Sequence, residues 1–305
     1  MWKYVVTRAV HSVLVVIAAS MIVFALSHLT GDPTPLMLPA DATPEMIARY
    51  RTLMGFDRPV HVQYWSFIKG VLTGNFGRSF MQGEDALQLV LARLPASLKL
   101  TLVSLGVSLL IAVPAGVVAA IGRGSWYDQL SRVVALLGQC LPNFYVGILL
   151  ILFFSVRLNW LPPTGGTDWK GMILPGLTLG MYAAAETMRF LRSSMLEVLG
   201  QAYIRTARCK GLHEFVVIVK HALRNASLAT VTVVGMQIGV LMGRAVVTET
   251  VFAYPGMGLL AVNAIAHRDF LVIQAFVIVM AVIVVSLNFL VDLLYGVLDP
   301  RIRHE

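Results

Sequence analysis

Six apolar runs, at about 9–29, 97–121, 133–156, 173–191, 226–247 and 271–294, divide the chain, and polar stretches rich in charge separate them. A helix needs about 20 apolar residues to cross the hydrocarbon core of a bilayer, and each run supplies close to that. The pattern predicts six transmembrane helices in an all-α polytopic membrane protein. The first run is long for a signal peptide, and no small-residue cleavage site closes it, so it reads as a retained span.

After the first run comes a mixed segment, 31–95, in which Arg49, Arg51, Arg58, Lys69, Arg78 and Arg93 are offset by Asp32, Asp41, Glu45, Asp57, Glu84 and Asp85. Thr43 and Pro44 start a helix through Leu53, a polar cap followed by a proline suited to the first turn. The segment reads as an external region, either a lobe that meets a partner or a cap over the outer edge of the membrane domain.

Composition excludes a soluble fold: 57% of the 305 residues are hydrophobic and 13% charged, mean hydropathy is +0.77, and soluble domains run near ~25% charged. The net charge of +8 is unevenly placed. The connectors 122–132 and 190–225 and the C-terminus carry Arg123, Arg132, Arg192, Arg205, Arg208, Lys210, Lys220, Arg224, Arg301 and Arg303, and the N-terminus adds Lys3 and Arg8. The opposite segments, 31–95, 157–172 and 248–270, are nearly neutral, so the positive-inside rule puts both termini and the 190–225 loop in the cytoplasm. Cys140, in an apolar run, and Cys209, in the basic loop, fall in different environments, and no disulfide is expected.

Prolines and glycines interrupt the runs, among them Pro114, Gly116, Gly138, Pro142, Gly147, Gly180, Gly235, Gly239 and Gly243. Small residues let helices approach closely, and a proline frees backbone groups that can be satisfied beside a cavity. Gln139, Asn143, Glu186, Gln237, Arg244 and Asn288 are expensive in lipid and should face the bundle or a wet route. The candidate lining of a pathway is Gln139, Pro142, Asn143, Gln237, Arg244 and Glu249. Arg244 reads either as a selector of an anionic or carboxylate group or as half of an ion pair with Glu249, and paired charges are the commoner intramembrane arrangement.

The longest basic loop reads as two short helices about a turn. Tyr203 to Lys210 places Arg205, Arg208 and Lys210 toward a helix C-terminus, where the dipole favours cations, and Gly211 is the cap. A second helix starts near His213, apolar from Phe215 to Val219 and basic through Lys220, His221 and Arg224. This segment resembles the cytoplasmic coupling loop of ABC importer permeases, Glu-Ala-Ala, three residues, Gly, nine residues, Ile, one residue, Leu-Pro. Arg205, Thr206 and Ala207 stand at the first triplet, Gly211 at the Gly, His221 at the Ile, Leu223 at the Leu and Arg224 at the Pro. Leu212, next after the Gly, is counted with the coupling loop. The Arg-Thr-Ala-Arg-x-Lys-Gly opening and the His-Ala-Leu-Arg-Asn close resemble the dipeptide, oligopeptide, glutathione and nickel branch. So do Gly31-Asp32-Pro33, the stretches 54–65 and 74–80, and Glu249 to Gly258, although Arg244 stands where that branch often has a small residue.

The resemblance implies a type I ABC importer permease, the first of two homologous permeases in a heterodimer, in a bacterial inner membrane. It implies one or two kinds of cytoplasmic ATPase, which carry the ATP and magnesium, and an external substrate-binding protein. No Gly-x-x-x-x-Gly-Lys-Ser/Thr phosphate cradle is present, so ATP hydrolysis by that mechanism falls to another subunit. This chain is expected to bind no cofactor or metal: its seven histidines lack ligand spacing, and no nucleophilic triad stands out. Nucleic acid is not an expected partner, because the basic loop is tied at both ends to membrane segments. An ion-gradient-driven secondary transporter accounts for six spans but not for the loop, and an intramembrane enzyme lacks paired catalytic groups.

Overall fold

The computed structural model describes residues 2–29, 34, 38 and 41–298. The Gly31-Asp32-Pro33 motif and the basic C-terminal residues Arg301 and Arg303 lie outside the described residues. The helices are α1 Trp2–Leu29, α2 Pro44–Met54, α3 Val60–Thr73, α4 Ala86–Ile121, α5 Trp126–Cys140, α6 Asn143–Leu150, α7 Trp169–Leu199, α8 Ala202–Cys209, α9 Glu214–Val216, α10 Arg224–Val251, α11 Met257–Ala266 and α12 Phe270–Leu298. π-helical turns, Ile151–Arg157 and Val217–Leu223, continue α6 and join α9 to α10. The chain divides into two compact units, Met1–Ala96 with Gly256–Phe289, and Ser97–Pro255 with Leu290–Glu305.

In the first unit α1 packs on α3. Phe24 meets Tyr64 edge-on at 5.3 Å between ring centroids and stacks with Phe67 at 5.9 Å, while Ser20 and Tyr64 share a hydrogen bond of 3.0 Å. Helix α2 begins as its sequence demands: Pro44 sits in the first turn and the Thr43 hydroxyl accepts from the Met46 amide. Near the N-terminus of α12, the buried Asp269 carboxylate accepts from the Ser79 hydroxyl at 2.5 Å, pinning the loop between α3 and α4. Beside these elements lies a cavity of about 1020 Å³ lined by Phe24, Arg58, Gln63 and Phe270 among others.

In the second unit α7 is the central helix, packed by α5, α6 and α10. Small residues make this closeness possible. At Gly180 a β-carbon would stand 2.7 Å from the Ser104 carbonyl oxygen of α4, so any side chain there forces the helices apart. Ala112, Ala135, Ala184, Ala185 and Met188 close one seam. Leu179, Ala183, Leu241 and Ala245 close another, between α7 and α10.

Several boundaries differ from those expected of the pattern. Helix α4 starts at Ala86 and runs through Pro95, where 97–121 was expected; the proline removes a single backbone donor and leaves the helix unbroken. The expected span 133–156 is broken: α5 and the α6 segment through Arg157 meet at 106°. Pro142 bars its predecessor from helical backbone angles, and Leu141 accordingly lies extended at φ −75°, ψ 130°. Among the described residues four helices are long and apolar enough to cross a membrane, or five if the bent pair counts as one span. Helix α7 is not among them, because Thr178, Tyr182, Glu186, Thr187 and Arg189 dilute it. Its neighbours bury 15 of its residues, Thr178 and Thr187 among them, while Tyr182 and Glu186 are half-buried and Arg189 is exposed.

Candidate functional site

The basic loop folds into a lobe on the end of α7. Ile204 and Ala207, one turn apart on α8, are buried with Leu191 and Met195 of α7, Ala120 of α4, and Val217, Ala222 and Ala226. The opposite face of α8 leaves Tyr203, Arg205, Thr206, Arg208 and Lys210 exposed, and Leu212 and Phe215 follow on the same open surface. Gly211 is the turn, with φ +74° and its amide bonded to the Arg208 carbonyl at 2.9 Å. A β-carbon there would meet no neighbour within 4 Å, so the demand for glycine is conformational rather than steric.

Two clasps set the lobe's shape. The Arg208 guanidinium donates to both Glu214 oxygens, at 2.6 and 3.1 Å, across the Gly211 turn. That fork holds the Glu214 carboxyl below its ordinary range and raises Arg208. Asn225 donates to the Tyr203 hydroxyl at 2.9 Å and to the His221 carbonyl at 2.8 Å, tying α8 to the start of α10. His213 caps the second element through Nδ1, which accepts from the Phe215 amide. The second helix is not a separate short one: after the three residues of α9 the chain passes through the π turn straight into α10. His221 and Leu223 are half-buried in that turn, and Arg224 is exposed as α10 begins. The expected loop also starts too early at 190, since α7 stays helical to Leu199.

Behind the lobe, Asp128 near the start of α5 is 1% exposed and accepts from Arg192 of α7 at 2.7 and 2.9 Å and from the Gly124 amide at 3.0 Å. Arg132, one turn on, adds a longer contact of 3.6 Å. This clamp joins α5 to α7.

The candidate pathway residues separate into groups. Gln139 and Asn143 are half-buried and Pro142 is exposed, all beside the α5–α6 break. Gln237 is buried: its amide donates to the Ala183 carbonyl at 3.3 Å and to Glu186 at 3.4 Å and accepts from Thr187 at 3.1 Å, bolting α10 to α7. Glu249, also buried, accepts from Ser97 at 2.6 Å. The expected ion pair between Arg244 and Glu249 does not form. Arg244 instead lies over the Tyr182 ring, 3.5 Å from its centroid, because Glu249 is turned to α4. Glu214, Asp128, Ser97 and Tyr182 are the partners that the sequence reading missed; for Glu214 alone a local signal existed, an acid six residues beyond an arginine across a glycine turn.

Residues 112–304 match the binding-protein-dependent transport system inner membrane component family, and residues 1–101 match the N-terminal region of the same membrane components. The chain belongs to this family. The glutathione transport system permease protein GsiC of Salmonella paratyphi A is 39% identical over the full length of both chains, and that of Escherichia coli is 38% identical, again over both full lengths. The inward-facing MetNI methionine ABC transporter covers 70% of this chain and 97% of its own, at 19% identity and a TM-score of 0.58. An amino acid ABC transporter crystallised with histidines covers 68% and 93%, at 13% identity and a TM-score of 0.55. The fold is that of a type I ABC importer permease. The protein is a non-catalytic, multi-pass permease subunit of the bacterial inner membrane.

Proposed function

We propose that this permease, with a second homologous permease, forms the route by which a peptide, glutathione included, enters the cell, driven by ATPase subunits that dock on the α8 lobe. An external binding protein delivers the cargo, and both termini and the lobe face the cytoplasm. The observation that carries the reading is the lobe's two-sided construction. One face of α8 is locked into the apolar cluster of α7 and α10, while the other presents Tyr203, Arg205, Arg208, Lys210, Leu212 and Phe215 to a partner. A lobe packed so firmly on two long helices passes a push on to them instead of absorbing it, as alternating access requires. Full-length likeness to GsiC supports a glutathione-like peptide as cargo. Gln139, Pro142 and Asn143 at the break, with Arg244, are the residues assigned to the route; Gln237 and Glu249 hold its helices together.

Gly211→Val tests the reading. A β-branched residue at φ +74° is strained by about 1–3 kcal/mol, which misaligns α8 against Glu214 without touching the bundle. The expected variant inserts and assembles with its partner permease but retains its ATPases poorly, or hydrolyses ATP without uptake. ATPase co-purification and substrate-stimulated hydrolysis in proteoliposomes are the readouts. Normal values of both, with normal uptake, would reduce the lobe to a solvated connector.

A further inference from the structure

Arg244 sits about two turns, or roughly 10 Å, before the end of α10. Gln237 and Glu249, on either side of it along the helix, are buried and hydrogen-bonded. Arg244 is half-exposed, and its partner among the described residues is a ring face, not a carboxylate. Beside it, Gly243 has nothing within 4 Å of where a side chain would begin, so α10 offers open space at that level.

Tyr182 belongs to the turn of α7 that the end of α5 approaches. At Gly138 a β-carbon would stand 3.5 Å from the Ala185 side chain and 3.7 Å from the Met181 carbonyl oxygen. The Leu141–Pro142 break follows three residues later. The same α7 turn carries Ala183, Glu186 and Thr187, which fix Gln237. Arg244 is therefore held over a fixed ring, close to the α5–α6 break, on a helix anchored above and below it.

An arginine on an aromatic face keeps all five N–H donors, which point outward from the edge of the guanidinium plane. The ring satisfies the cation's charge without occupying the fork, so a carboxylate can take the fork in two parallel hydrogen bonds while the stack persists. A neutral amide offers one acceptor and no charge. We propose that Arg244, oriented by Tyr182, is a specificity-determining residue that receives a carboxylate of the transported peptide. This rests on the importer reading above and names the substrate chemistry within it.

The test uses the complete importer with its binding protein in proteoliposomes. Uptake of a tripeptide with a free C-terminal carboxylate is compared with that of the same tripeptide as its C-terminal carboxamide. Preferences of the binding protein are common to wild type and variant and cancel in the ratio of ratios. Arg244→Gln is expected to lower carboxylate uptake about tenfold or more, while the carboxamide changes less than about twofold. Arg244→Lys, which keeps the charge but loses the planar fork, should fall between them. Tyr182→Phe keeps the ring and should match wild type, whereas Tyr182→Leu should blunt the discrimination. Equal losses for both peptides in Arg244→Gln would overturn the proposal and leave Arg244 a structural clamp between α7 and α10. Discrimination unchanged in the variant would overturn it as well. In both cases wild-type uptake of either peptide leaves the importer reading standing, and failure of wild type to import any peptide would overturn the two together.

Discussion

At the scale of single residues, Asp128 shows what an energetic anchor looks like in this chain. It is almost wholly buried, and three donors converge on it from Arg192 and the Gly124 amide. Removing one partner of a buried pair strands the other, so Asp128→Ala should cost about 3 kcal/mol, the lower end for such pairs, because Arg192 keeps some contact with solvent. The exposed Arg132 adds little, and Arg132→Ala should be nearly silent. Thermal unfolding in detergent checks both, and an Asp128→Ala variant as stable as wild type would show that the pair is dispensable. None of this is visible in the sequence, where Arg132 and Arg192 read as orientation charges and nothing local marks Asp128. A partner 64 positions away is supplied only by helix packing. Gly211 is the contrasting case: its demand is local, a left-handed turn after a basic helix end, and local demands survive in sequence. Arg244 lies between the two, since its oddity was plain but its partner depended on which way Glu249 turned.

At the scale of elements, hydropathy located the long apolar helices but passed over the short apolar α11, and it was blind to bends, since a window of apolar residues scores alike whether straight or folded. The break at Leu141–Pro142 is half legible, since the proline stands out in an apolar run but the bend also depends on the backbone angles it imposes on Leu141. Pro142→Ala removes that restriction and should straighten α5 and α6 toward one rod. Spin labels at the exposed positions Leu130 and Leu152 would then approach the ~33 Å that 22 straight helical residues span, against a clearly shorter distance in the bent form. An unchanged distance would assign the bend to packing, such as at Gly147, where a β-carbon would stand 3.0 Å from the Phe252 ring, and not to the proline.

At the scale of the whole molecule, the asymmetry of arginine and lysine predicts that tags after Glu305 and within the 202–225 loop are both shielded from outside intact cells; protease access to either from the periplasm would refute that topology. The membrane class, the helical fold and the family were legible because they rest on properties summed over many residues. The number of spans was less so, since α7 exchanges lipid for protein neighbours and its polar residues blur the signal. The π turn at Val217–Leu223 carries a consequence for motion. A π turn is an α-helix holding one residue too many, and each residue of an α-helix rotates the chain about its axis by about 100°. Rewinding Val217–Leu223 as ordinary α would rotate the lobe against α10 by about that angle while the rod between them stayed whole. The joint between lobe and membrane helix thus holds one residue of slack, a torsional slip stored in a shaft that is otherwise rigid.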